Sequence, residues 1–385
     1  MPSLTAQPAT KTITARPAAL PPVLSASSGG PPGCLRPFVN ERLNSRLPLA
    51  LPAGGWSSAW AVPLAAGLMP HTVLCSGQHT LVLGKAAFQL FVRAEPTAHG
   101  VRRGEDAEIQ PDAGVFLQPD RYSRIASYSL TTGAPASYFS ANGGNDTLRT
   151  FLHRGAGFTV VASADESRSP HNPIPNRVVY LQVFDSSGAE TASRDGDTGR
   201  LRVAMHNAFI VLARPNAIDF LDSSLHAQRR IEAAMVPHAL SIDESGRVYL
   251  LCTVDHRQQL WIVAPSGEYS SVPMPGGVSP FHRPPIVGYD HRVYVLSVNG
   301  ILTVDAAGQL DWHFDASGRV AGATVSADGH LIAAIGDSIL AFNPKGESRV
   351  LCRFPDEQLM ASPVLGSAGE LYALTDRRLH CLRAT

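Results

Sequence analysis

Five cysteines and fourteen histidines are scattered over 385 residues, and their spacing decides what chemistry they could do. Thiolate metal sites and redox pairs need closely spaced cysteines of the C-x-x-C kind. Cys34, Cys75, Cys252, Cys352 and Cys381 stand far apart, and four of them fall in or beside apolar runs, where a thiol packs as a small hydrophobe. The expectation is reduced thiols in a cytoplasmic protein, with export to the periplasm as the alternative. The histidines lack the spacing of metal ligands; His71, His282, His330 and His380 fall at strand ends or in turns. Arg102-Arg103 and Arg229-Arg230 are isolated pairs, read as solvated surface rather than phosphate clamps. The Gly-Gly pairs at 54, 143 and 276 lack the following helix that a phosphate loop requires. Asp243, Asp290 and Asp328 sit in turns, where Asp serves by bonding to nearby backbone, and calcium would need several on one loop. No catalytic residue, metal or cofactor follows from these patterns.

Two stretches are left for contacts with other molecules. One is a long insertion, Ala164 to Asn176, carrying Arg168 and His171. The other is Cys34 to Arg46, where Arg36, Phe38, Arg42 and Leu43 mix the aromatic, aliphatic and arginine side chains that dominate protein contacts. These six residues are the candidate partner-binding set. With 32 basic and 32 acidic residues the chain has no net field to attract nucleic acid or an anionic membrane, and it has no apolar run long enough to span one.

The elements that must carry these residues are repeats. The runs around Tyr294, Ile332 and Tyr372 copy one pattern at intervals of 38 and 40 residues: apolar run, turn with Asp or Gly, second β-rich run. A third run closes on a glycine in Leu260–Gly267, Ile301–Gly308 and Ile339–Gly346, and a fourth follows, as in Gln309 to Phe314. Four strands in about 40 residues make a propeller blade. The pattern predicts an all-β chain, an eight-bladed β-propeller with seven blades as the alternative. It divides into a Pro-rich extended N-terminal arm, 1–54, and a propeller, 55–385. The eighth unit, Pro363 to Leu382, has only three strands before Thr385, so Trp56 to Leu64 is expected to supply the fourth beside Leu379–Leu382.

The repeats around Asp305-Ala-Ala-Gly308-Gln-Leu-Asp-Trp312, Ser129-Leu-Thr-Thr-Gly133 and Ser362 to Leu374 resemble the pyrroloquinoline-quinone-type repeat of quinoprotein dehydrogenases and their non-enzymatic relatives. The resemblance covers roughly Gly55 to Thr385 and implies an eight-bladed propeller. Enzymes of that family hold their quinone under a vicinal cysteine pair, with a calcium-binding carboxylate set near a catalytic Asp; this chain has no adjacent cysteines. The expectation is therefore the non-enzymatic branch: a scaffold in a multiprotein bacterial assembly, held partly by its arm, with no cofactor. Two alternatives stay open, a hydrolase or lyase with its site at the channel mouth, and a regulatory propeller that senses a small ligand.

Overall fold

The computed structural model describes residues 33–34 and 50–385, apart from 77, 85–86, 102–107, 111–114, 120–123, 141–148, 156–157, 166–177, 186–188, 199–201, 207–208, 276–282 and 367–368. The described residues form antiparallel strands and no helix, so none crosses a membrane as a helix. The described strands fall into eight sheets; seven hold four strands and one, the sheet beginning at Pro70, holds five. In chain order the sheets begin at Pro70, Glu108, Arg149, Arg202, Val236, Ile286, Val320 and Val364. Sheet 6 is typical: Ile286–Val287, Val293–Leu296, Gly300–Val304, Leu310–Asp315. This is the β-propeller class.

Alternation explains why the sheets stack. A strand presents successive side chains to opposite faces, and here both faces of the middle strands are buried, as in Val293–Leu296 and Leu331–Ile335. Each sheet must therefore lie between two others. The apolar core accordingly forms layers between neighbours: sheets 3 and 4 around Met205, sheets 4 and 5 around Leu250, sheets 5 and 6 around Val293, sheets 6 and 7 around Phe342, sheets 7 and 8 around Leu371. The layer around Leu81 and Leu379 joins sheet 8 back to sheet 1 and closes the ring.

That last joint comes from the other end of the described chain. Trp56–Pro63 pairs antiparallel with Arg378–Ala384, Trp60 opposite Cys381, as the outer strand of sheet 8. Trp60 meets Tyr372 with ring centroids 6.0 Å apart and planes at 59°. Trp312 meets Tyr294 in sheet 6 at the same distance and angle, so a strand from a distant part of the chain occupies the same position in the repeat. Residues before it already lie on the propeller: Leu51 is buried against sheets 7 and 8, and its amide donates to Asp328 Oδ1 at 2.9 Å. Gly33–Cys34 adds a two-residue strand to the inner edge of sheet 1.

The meander sets two faces. Links between sheets, and the turns joining second to third strands, lie on one face, called upper below. The turns joining first to second and third to fourth strands lie on the lower face. The first strand of each meander is innermost, apart from Gly33–Cys34 beyond it in sheet 1, so residues that begin it ring the upper mouth of the axial channel.

Candidate functional site: the upper mouth of the channel

The three turn aspartates lie on the lower face and are separately engaged. Asp243 accepts from Ser245 Oγ at 2.6 Å, the Arg247 amide at 3.0 Å and Tyr249 Oη at 3.0 Å. Burial, reinforced by Asp243, pushes the Tyr249 hydroxyl well above its ordinary range. Asp290 pairs with Arg292 at 2.9 Å, and Asp328 holds His330 at 3.0 Å as well as the Leu51 amide. They do not converge, and among the described residues no three His, Cys, Asp or Glu side chains come together as a metal site.

The histidines and cysteines are likewise built into the sheets. His380 Nε2 lies 2.9 Å from Glu357 Oε2, which also accepts from the buried Thr375 hydroxyl at 2.6 Å. Burial alone would raise the Glu357 pKa, but the bonds from Thr375 and His380 and the charges of His380 and Arg378 outweigh it and hold the carboxyl below its usual range. This cluster ties the link after sheet 7 to the third strand of sheet 8. Cys75, Cys252 and Cys381 are free and buried, while Cys352, expected to be largely buried, is only half-buried because it stands on the outer strand of sheet 7. Arg230 is paired, not merely solvated: with Arg214 and Arg194 it surrounds the buried Asp219, at 3.7, 2.9 and 3.8 Å, and so joins sheets 3 and 4.

Among the described residues, the vicinal cysteine pair and carboxylate set of the resembling enzymes have no counterpart. Cys252, Cys352 and Cys381 stand in three different sheets, Cys34 and Cys75 face each other across two strands of sheet 1 without being neighbours in sequence, and among the described residues no carboxylate set converges. Residues Arg36, Phe38, Arg42, Leu43, Arg168 and His171, with Arg102, Arg103 and His282, lie outside the described residues.

Sequence reasoning missed the upper channel mouth. Strand register skips His238 at the start of sheet 5 and Ala321 at the start of sheet 7, leaving each carbonyl unmatched in its ladder. An arginine from the preceding sheet supplies the donor: Arg202 Nε bonds the His238 carbonyl, and Arg283 Nη1 bonds the Ala321 carbonyl. Arg319, exposed at the start of sheet 7, stands close enough to repel Arg283. Burial, then the like charge of Arg319, pulls the Arg283 guanidinium below its ordinary range. Among the described residues neither Arg283 nor Arg319 has a carboxylate at ion-pair distance, and the 276–282 segment leading into Arg283 contains no Asp or Glu. The mouth thus carries two cations that repel each other, one half-buried and one exposed, without a counter-charge among those residues.

No known family profile and no curated protein sequence matches the chain. Solved structures resemble it in fold. The quinohemoprotein alcohol dehydrogenase ADHIIG from Pseudomonas putida HK5 aligns with a TM-score of 0.66 at 10% identity, over 92% of this chain and 80% of that one. A europium-containing methanol dehydrogenase aligns at 0.61 and 10% identity, over 90% and 89%. Saccharomyces cerevisiae Sqt1 aligns at 0.56 and 10% identity, over 88% and 100%. The likeness places the chain on the β-propeller fold. It also overturns the expectation that the chain is no enzyme, since two of these three structures are dehydrogenases.

Proposed function

We propose that the protein is a ligand-binding propeller whose upper channel mouth takes a small organic or inorganic anion. The observation that carries this reading is the Arg283–Arg319 pair. Two like charges that repel, one of them on a half-buried side chain, cost free energy unless an anion joins them. Guanidinium groups match carboxylate and phosphate oxygens in geometry as well as charge. Arg283 is fixed by its bond to the Ala321 carbonyl, so the site is preformed, while the exposed Arg319 can swing onto a ligand. The experiment is calorimetric titration of the full chain with phosphate, succinate and citrate. Saturable binding is expected, weakened on the order of ten-fold by Arg319→Ala, a surface change that spares the fold. Absence of binding for all three anions, or unchanged affinity in Arg319→Ala, would overturn the reading.

A second reading, attachment to protein partners in a larger assembly, is supported at the root of the arm. The buried Leu51 and its bond to Asp328 fix the chain at residue 51 on the lower face. On this reading Arg36, Phe38, Arg42 and Leu43 are the contacts, aided by Arg168 and His171.

A further inference from the structure

Where sheet 8 meets sheet 1, the upper face opens into a groove of about 790 Å³ that the channel-mouth reading does not use. This falls within the range of cavities that enclose small ligands or a few side chains, roughly 300–1,000 Å³. Its apolar wall comes from the 64–70 link, with Leu64, Leu68, Met69 and Pro70, and from Met360 opposite; Asp376 and Arg377 form the rim.

The link is pinned in place. Leu64 donates to the Arg377 carbonyl at 3.0 Å, Leu68 to the Ala65 carbonyl at 3.2 Å, and Ala65 to Oε1 of the buried Gln89 at 2.8 Å. It also lies so close to sheet 1 that a Cβ on Gly84 would come within 1.7 Å of the Leu68 carbonyl oxygen, so only glycine fits there. On this fixed loop Met69 takes a left-handed φ of 46° and leaves 62% of its surface in solvent. A large apolar side chain held exposed in an unfavourable backbone conformation is a cost the fold does not recover by packing. Met69 and Met360 are flexible and polarisable, suited to fitting a partner's side chains.

Charge selects the partner. Asp376 is engaged, accepting from the Gln358 amide at 3.0 Å, whereas the Arg377 side chain is 64% exposed and only 3.9 Å from Asp376 at its nearest. The chain's own arm suits this rim poorly: residues 1–49 carry Lys11, Arg16, Arg36, Arg42 and Arg46 against the single acid Glu41.

We propose that the groove docks a short segment of another protein, in which two adjacent apolar side chains enter against Met69 and Met360 and a following carboxylate meets Arg377. The test uses the full chain and two fluorescein-labelled capped heptapeptides, one with a central Leu-Leu-Glu and one with Leu-Leu-Lys, followed by anisotropy. The Glu peptide is expected to bind saturably and more tightly than the Lys peptide. Met69→Gly, which relieves the left-handed strain while removing the side chain, is expected to weaken it on the order of ten-fold. Arg377→Glu is expected to reverse the preference between the two peptides. Equal binding of both peptides, no saturation, or affinity unchanged in Met69→Gly overturns the proposal. So does a chain lacking residues 1–46 that binds the Glu peptide more tightly, which would make the arm the occupant, or peptide-sensitive self-association in sedimentation, which would make it a second copy. None of these outcomes depends on anion binding at Arg283 and Arg319, so the two readings fail separately.

Discussion

Asp328 shows how one side chain can couple the arm to the propeller. Burial would raise its pKa, but the bonds from Ser326 and the Leu51 amide, together with the charge on His330, hold it below the ordinary carboxylate range, as similar forces do for Glu357. For a depressed folded-state pKa, the stabilisation is complete above the unfolded value, near 4 for a carboxylate, and is lost as pH falls through the folded one. The thermal midpoint should therefore drop as pH is lowered from about 5 towards 3, and Glu357→Gln should flatten that dependence. Limited proteolysis over the same range should cut at 50–54 before the sheets, because protonating Asp328 removes an acceptor charge from the Leu51 amide. Unchanged cleavage between pH 5 and 3 would show that Leu51 is held by packing alone.

At the scale of the strand and its turn, the repeat was readable because its chemistry is local. Asp305 accepts from the amides of Ala307 and Gln309, Asn343 from Lys345 and Glu347, and Gly308 and Gly346 supply the positive φ that follows. The Trp312 signal is also local in sequence, though its use is not: its indole lies on the next sheet's turn, so close to Gly346 that a Cβ there would be 2.9 Å from the ring, and Nε1 donates to the Pro344 carbonyl at 3.3 Å. Trp60, which matches Trp312 in its pairing with a tyrosine, is only half-buried, yet it packs in the layer that joins sheets 8 and 1. Trp60→Ala should cost about 3 kcal/mol in chemical denaturation; a loss below about 1 kcal/mol would mean the closing layer does not depend on it. The channel mouth was not readable for the opposite reason. Arg202 and Arg283 act through carbonyls of His238 and Ala321, residues more than thirty positions away, and the bulges that free those carbonyls leave no residue type behind to recognise. The groove is harder still, since Met69 and Met360 meet only through closure of the ring.

For the whole molecule, stability is distributed over layers between sheets, and the joint between sheets 8 and 1 is the one made by strands from distant parts of the chain. A chain lacking 1–46 keeps Trp56–Pro63 and should melt within a degree or two of the full chain, while losing whatever protein partners the arm holds. A chain lacking 1–63 exposes the edge of Arg378–Ala384 and should associate with rising concentration in sedimentation velocity. If it stays monomeric, that edge is protected by some other segment.

The pairing of Trp60 with Cys381 also orders events in time. The ribosome emits Trp56–Pro63 before any sheet exists, and its partner strand only after the other sheets have been made. Closing so long a loop carries a large entropic charge that earlier contacts must first reduce. Sheets 2 to 7 can each form from neighbours in sequence as they emerge, whereas sheet 8 waits until Arg378–Ala384 has been made. During that interval Trp56–Pro63 is an unsatisfied β-edge on the nascent chain, and the protein's dependence on chaperones should be concentrated there.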